Sequence, residues 1–197
     1  MAAESSLAPA TPGGIALGTF SQAARHKRRY DAIITVEDPS TRPSQRLRID
    51  GANGPTGPAH LVLAFEDVDS DEWGIRTATE EQVARAIGFA RDNAGGSLLV
   101  HCVHGVGRSA ALTYAILADR MDDGHELAAL EATIALKWDV RPNLVAVGHA
   151  DRILDRSGRL LSTLIAHEAE RPRAQVWRAM RREAVVSPSS SFSYSRW

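Results

Sequence analysis

From Asp31 onward, short β-branched or aliphatic runs alternate with longer stretches whose apolar positions recur at helical spacing. Asp31-Ala-Ile-Ile-Thr-Val36 is a compact apolar run closed by Asp38-Pro39-Ser40, which predicts a buried strand and a turn. Residues 45–49 predict a second strand, residues 51–58 are dense enough in Gly and Pro to predict a loop, and His60-Leu-Val-Leu-Ala-Phe65 predicts the next strand. Thr79 followed by Glu80, Glu81 and Gln82 is the pattern of a capped helix start, and Val83, Ala86, Ile87 and Ala90 then share one helical face until residues 93–96 stop it. Ser97-Leu-Leu-Val-His101 predicts a strand, residues 109–121 a strongly apolar helix, and two more helices follow at about 125–138 and 143–155.

Strands separated by helices predict an α/β fold, a single domain whose central, largely parallel sheet is flanked by helices. On such sheets ligands bind where strands end and helices begin, and residues 97–115 supply that strand–loop–helix junction at the centre. The Ala-, Pro-, Ser-, Thr- and Gly-rich segment 1–14 reads as a flexible leader, 15–157 as the domain, 158–185 as a helical extension, and the Ser-rich segment 186–197 as a flexible tail. In the extension, Leu160, Leu161, Leu164, Ile165, Val176 and Trp177 predict an amphipathic helix packed on the domain or docking a partner.

Composition narrows this little: 44% hydrophobic and 24% charged residues over 197 positions are ordinary for a globular domain. A net charge of -1 predicts neither a nucleic-acid nor a membrane partner, and the basic cluster at residues 25–29 reads as a solvated helix end. Cys102 is the only cysteine, which excludes an internal disulfide and a cysteine-rich zinc site and suits a reducing, cytoplasmic setting. No segment reads as a secretory signal or a membrane span.

The chemistry gathers at His101-Cys102-Val103-His104-Gly105-Val106-Gly107-Arg108-Ser109. A cysteine at the end of a strand and facing a helix N-terminus is placed to attack as the thiolate. Five residues separate Cys102 from Arg108, and with glycines at 105 and 107 the loop Val103, His104, Gly105, Val106, Gly107 can curl its N–H groups inward around a phosphate. Arg108 offers a planar fork to two phosphate oxygens, and Ser109 is placed to donate to the sulfur and ease its departure. No metal and no organic cofactor is called for, since His101 has no second cysteine or neighbouring histidine cluster to join. The stretch resembles the signature of the protein tyrosine phosphatase superfamily, His-Cys, five residues, then Arg and Ser or Thr. The order of elements from about 30 to 157 looks like its compact dual-specificity branch, and most like small bacterial tyrosine-phosphatase-like proteins.

That resemblance implies a phosphomonoester hydrolase working through a phosphocysteine intermediate on a phosphorylated protein or a small phosphorylated metabolite. It gives His101 the task of holding the loop backbone and the sulfur, and reads Arg141-Pro142-Asn143 as a structural element. It also implies a general-acid aspartate after the strand preceding the long helix, where Asp67, Asp69 and Asp71 are candidates. Asp67 is favoured because it directly follows the strand, with Asp69 as the alternative acid and Glu66 as a departure from the usual pair of acidic residues. His104 either meets substrate or faces solvent, and Trp73 and Trp138 either line the rim or pack. The loop lacks lysine, which disfavours highly anionic phosphoinositides. Two rivals stay open: a silent phosphate-binding module that lacks a working acid, and a rhodanese-type sulfurtransferase, whose loop is typically one residue shorter.

Overall fold

The computed structural model describes residues 7, 8, 11, 13–70 and 76–186. Its chain runs β1 (Ile15–Thr19), α1 (Phe20–His26), β2 (Ala32–Glu37), β3 (Ala59–Ala64), α2 (Glu80–Asp92), β4 (Leu98–Cys102), α3 (Arg108–Asp119), α4 (Glu126–Leu136), α5 (Leu144–Ile153), α6 (Arg159–Ala169) and α7 (Pro172–Val186). The four strands form one sheet in the order β1-β4-β2-β3, with every neighbouring pair parallel. Parallel pairing sends all the strand ends one way, and the register sets Thr19 beside Cys102 and Thr35 beside His101. The C-terminal edge of the sheet therefore gathers the residues singled out above.

The two faces of the strands divide the core. Ile34, Val36, Leu98 and Val100 join the larger cluster with α2 to α6, whereas Ile33, Leu99 and Ala16 join Ala23, Tyr30 and Leu47 on the other face. Helix α3 runs through the larger layer with ten of its twelve residues buried, which explains why its sequence is apolar all round. Thr79 caps α2 as expected: its hydroxyl accepts from Gln82 N at 3.2 Å and Gln82 Oε1 returns the bond to Thr79 N at 3.0 Å.

Three expectations are corrected. Residues 45–49 are not a strand: Pro43–Gln45 is a short 3-10 turn, Leu47 alone is buried, and Arg48 O accepts from Lys27 Nζ instead of a ladder partner. The sheet instead takes Ile15–Thr19, a run with an inner glycine and alanine that carries little strand signal until β4 pairs with it. Part of the leader is held, because Leu7 and Ala8 pack on the smaller cluster and Tyr30 Oη donates to Ala8 O at 2.8 Å. Segment 158–185 is two helices, not one, broken at Pro172, which has no N–H to continue α6. The tail from 187 on, and Asp71 and Trp73, lie outside the described residues.

Candidate active site

Strand β4 ends on Cys102, 3% exposed, at the floor of a cleft of about 1350 Å³. Its Sγ accepts from Gly105 N at 3.2 Å and from Ser109 Oγ at 3.1 Å, so both donors that the loop and the helix start supply are turned to the sulfur. The loop between them is held from outside by its carbonyls: Val103 O accepts from Phe20 N at 3.1 Å, Val106 O from Arg141 N at 2.9 Å, and Gly107 O from Asn143 N at 3.2 Å. In a planar trans peptide the N–H points opposite to the C=O, so the amides of His104, Gly107 and Arg108 face away from these anchors and into the loop. Gly105 has φ +67°, and a Cβ there would stand 2.6 Å from Gly18 O.

Arg108 opens α3 with its side chain 5% exposed. Asp38 grips the guanidinium with both oxygens, Nη1 to Oδ1 at 3.0 Å and Nη2 to Oδ2 at 3.3 Å, and Nη1 also donates to Phe65 O at 3.0 Å. Its Nε is buried and has no hydrogen-bond partner among the described residues, an arrangement that suits an incoming anion. Burial works against its charge, but Cys102, Asp67 and Asp38 outweigh it and Arg108 holds its proton more firmly than a free arginine.

Asp67 lines the same cleft. It comes so close to the loop that a Cβ on Gly107 would fall 2.2 Å from its Oδ2, so the second loop glycine is what admits the carboxylate. Asn143 Nδ2 donates to Asp67 Oδ1 at 3.1 Å and to Val68 O at 2.8 Å, fixing the carboxylate from behind.

No family model matches the chain, and no curated protein does. Solved structures do match. The crystal structure of PTPMT1 in complex with PI(5)P aligns with a TM-score of 0.55 at 16% identity over 77% of this chain and 99% of that one. DUSP15 aligns at 0.52 and 20% over 81% and 95%, and a mouse putative dual specificity phosphatase complexed with zinc tungstate at 0.51 and 22% over 83% and 94%. The fold is that of the tyrosine and dual-specificity phosphatases.

Within this phosphatase fold the other singled-out residues take distinct places. Asp69 lies behind the cleft lining rather than in it: its Oδ1 accepts from Leu144 N at 3.2 Å and its Oδ2 pairs with Arg178 Nη1 at 3.0 Å. Glu66 lines the cleft beside Asp67. His104 lines it too and is exposed, and desolvation followed by the Arg108 charge pulls its pKa below the usual histidine range. His101 is fully buried, and its Nε2 lies 2.8 Å from Thr35 Oγ1, which also meets His60 Nε2 at 2.8 Å. Burial pushes its pKa down to about 4, opposed in part by the Cys102 backbone, so at neutral pH the ring is uncharged. Trp138 is 73% exposed.

The reading of the sequence missed Asp38, Thr35 and the hold of Asn143 on Asp67. Asp38 sits one residue past β2 at the ligand-binding edge of the sheet, a placement that held a signal, but Asp38-Pro39-Ser40 is equally good turn chemistry. Among the described residues no group of three or more His, Cys, Asp or Glu side chains is placed to hold a metal ion. No described helix is long and apolar enough to cross a membrane.

Proposed function

We propose that the chain is a cysteine-dependent phosphomonoester hydrolase that works through a phosphocysteine intermediate on a phosphorylated protein or a small phosphorylated metabolite. The observation that carries this reading is one cleft lined by Cys102, by a loop whose carbonyls are tied outward so that its amides turn inward, and by Arg108, a buried guanidinium with an unpartnered Nε. Phosphate is the anion whose geometry uses all three.

Cys102 attacks phosphorus as the thiolate, forming the S–P bond while the ester P–O bond breaks, and the carboxyl proton of Asp67 goes to the departing oxygen. Loop amides and Arg108 carry the charge on the equatorial oxygens. Water then attacks phosphorus, Asp67 takes its proton, and the S–P bond breaks with Ser109 Oγ donating to the leaving sulfur. The chain's own groups complete both steps, with no metal or organic cofactor invoked. Phosphomonoesters are also the class suggested by the neighbours' names, dual specificity and tyrosine phosphatases.

Hydrolysis of p-nitrophenyl phosphate across pH by wild type, Cys102→Ser and Asp67→Asn tests the reading. Wild type is expected to turn over, Cys102→Ser to lose turnover while still binding phosphate, and Asp67→Asn to lose the limb of the pH profile that reports the protonated acid. Tight phosphate binding by wild type without turnover would establish the silent module instead.

A further inference from the structure

The carboxylates of the acid loop are held by a residue more than a hundred positions away. Arg178, on α7, pairs through Nη1 with Asp69 Oδ2 at 3.0 Å and donates through Nη2 to Pro142 O at 3.0 Å and to Glu168 Oε1 at 2.6 Å, while its Nε donates to Glu168 Oε2. Its side chain is 16% exposed, and Glu168 and Asp69 are 10% and 19% exposed, so the cluster is largely sheltered from water. A sheltered arginine is tolerated where its charge is paired, and here Glu168 and Pro142 O accept from Nε and Nη2 while Asp69 forms an ion pair with Nη1, three residues from three separate segments.

Each of those segments leads to the chemistry. Asp69 is two residues beyond Asp67, and its other oxygen is held by Leu144 N. Pro142 precedes Asn143, whose side chain holds Asp67 Oδ1 and Val68 O, and whose N–H holds Gly107 O. Arg141, one residue earlier, bonds Val106 O through its N–H and lays its guanidinium 5.0 Å from the ring centre of Trp177, the neighbour of Arg178 on α7. Helix α7 thus grips residues 141–142 twice and the acid loop once, and Asn143 passes that grip to the Asp67 carboxyl.

We propose that Arg178 is a positioning residue for general-acid catalysis: through Asp69 and the Pro142–Asn143 backbone, α7 sets the place of the Asp67 carboxyl over the phosphate loop. This rests on the hydrolase reading above. The consequence is specific to one step. Losing Arg178 lets the acid wander while the cradle, built by β4 and α3, still binds phosphate, and a displacement of about 1 Å in a catalytic group can cost on the order of 100-fold.

The test compares two aryl phosphates, phenyl phosphate with a poor leaving group and 2,4-dinitrophenyl phosphate with a good one, in wild type, Asp67→Asn, Arg178→Gln and the double variant, with inorganic phosphate as competitive inhibitor. A proton donor matters for the poor leaving group and little for the good one. Arg178→Gln is expected to lose about tenfold to 100-fold in kcat on phenyl phosphate and far less on the dinitrophenyl ester, to keep its inhibition by phosphate, and to add nothing to the loss in Asp67→Asn. An equal loss on both esters, a loss that adds to that of Asp67→Asn, or no loss overturns the proposal. Should Arg178→Gln fail to fold, Asp69→Asn carries the same comparison, because the amide oxygen still accepts from Leu144 N while the ion pair is gone. A wild type inactive on both esters sinks the hydrolase reading, whereas an active wild type with a leaving-group-sensitive Asp67→Asn and an insensitive Arg178→Gln sinks only this inference.

Discussion

Two residues show how tightly the loop is specified. Gly105 combines φ +67° with a backbone oxygen 2.6 Å from where a Cβ would stand, so neither a rotamer change nor a side-chain shift can relieve a substitution. Gly105→Ala is expected to cost at least about 1 kcal/mol from the left-handed backbone alone, and to lower turnover, since the loop must move off Gly18 O; thermal unfolding and p-nitrophenyl phosphate hydrolysis read both. His101 makes the opposite bargain with its environment. Its folded pKa of about 4 lies below the ordinary 6.5, so between those values the unfolded chain binds more protons and stability falls as pH falls. The loss is expected to begin below pH 6.5, to be complete near pH 4, and to reach about 3 kcal/mol. Urea unfolding of His101→Asn across that window should show a flatter profile than wild type; an equal slope would remove His101 as the cause.

Among elements, the short segment from Arg141 to Leu144 does more than its length suggests. Asn143 caps α5 by accepting from Ala146 N at 3.0 Å, and the same side chain holds Asp67 and Val68. Asn143→Ala removes a cap and leaves Val68 O without its donor, a combined cost of about 2 kcal/mol, and it also frees the Asp67 carboxylate. Turnover should therefore fall more than stability explains, which kinetics at a temperature well below the unfolding midpoint will separate. The Arg141-Pro142-Asn143 element, structural by its resemblance, also holds Asp67. Helices with strong local signals, α2 with its capping box and α3 with its apolar run, were legible residue by residue. Strand β1 was not, since five residues of modest strand propensity become a strand only by pairing with β4.

Across the fold as a unit, the site joins four sequence-distant regions: the Asp38 loop, the acid loop, residues 141–143 and α7, all closing on the β4–α3 junction. A ligand that binds this assembled cleft and not the unfolded chain must stabilise the fold by mass action. Inorganic phosphate at 100 times its Kd is expected to add about 2.7 kcal/mol to wild type, and nothing to Arg108→Ala; a phosphate-independent melting temperature in wild type would argue against the cradle.

Features that depend on neighbours along the chain were legible in the residues alone: the strand–loop–helix with Cys102, its two glycines, Arg108 and Ser109, and the α/β alternation that places such a junction at a sheet edge. These follow from backbone conformation and from spacing, which short range settles. Packing across the fold is what sets Asp38 on Arg108, brings Asp67 into the cleft while turning Asp69 to Arg178, and places Thr35 beside His101. Those choices among chemically equivalent side chains are made by parallel register and helix packing, which bring together residues tens of positions apart, and no local pattern encodes which carboxylate the packing will admit.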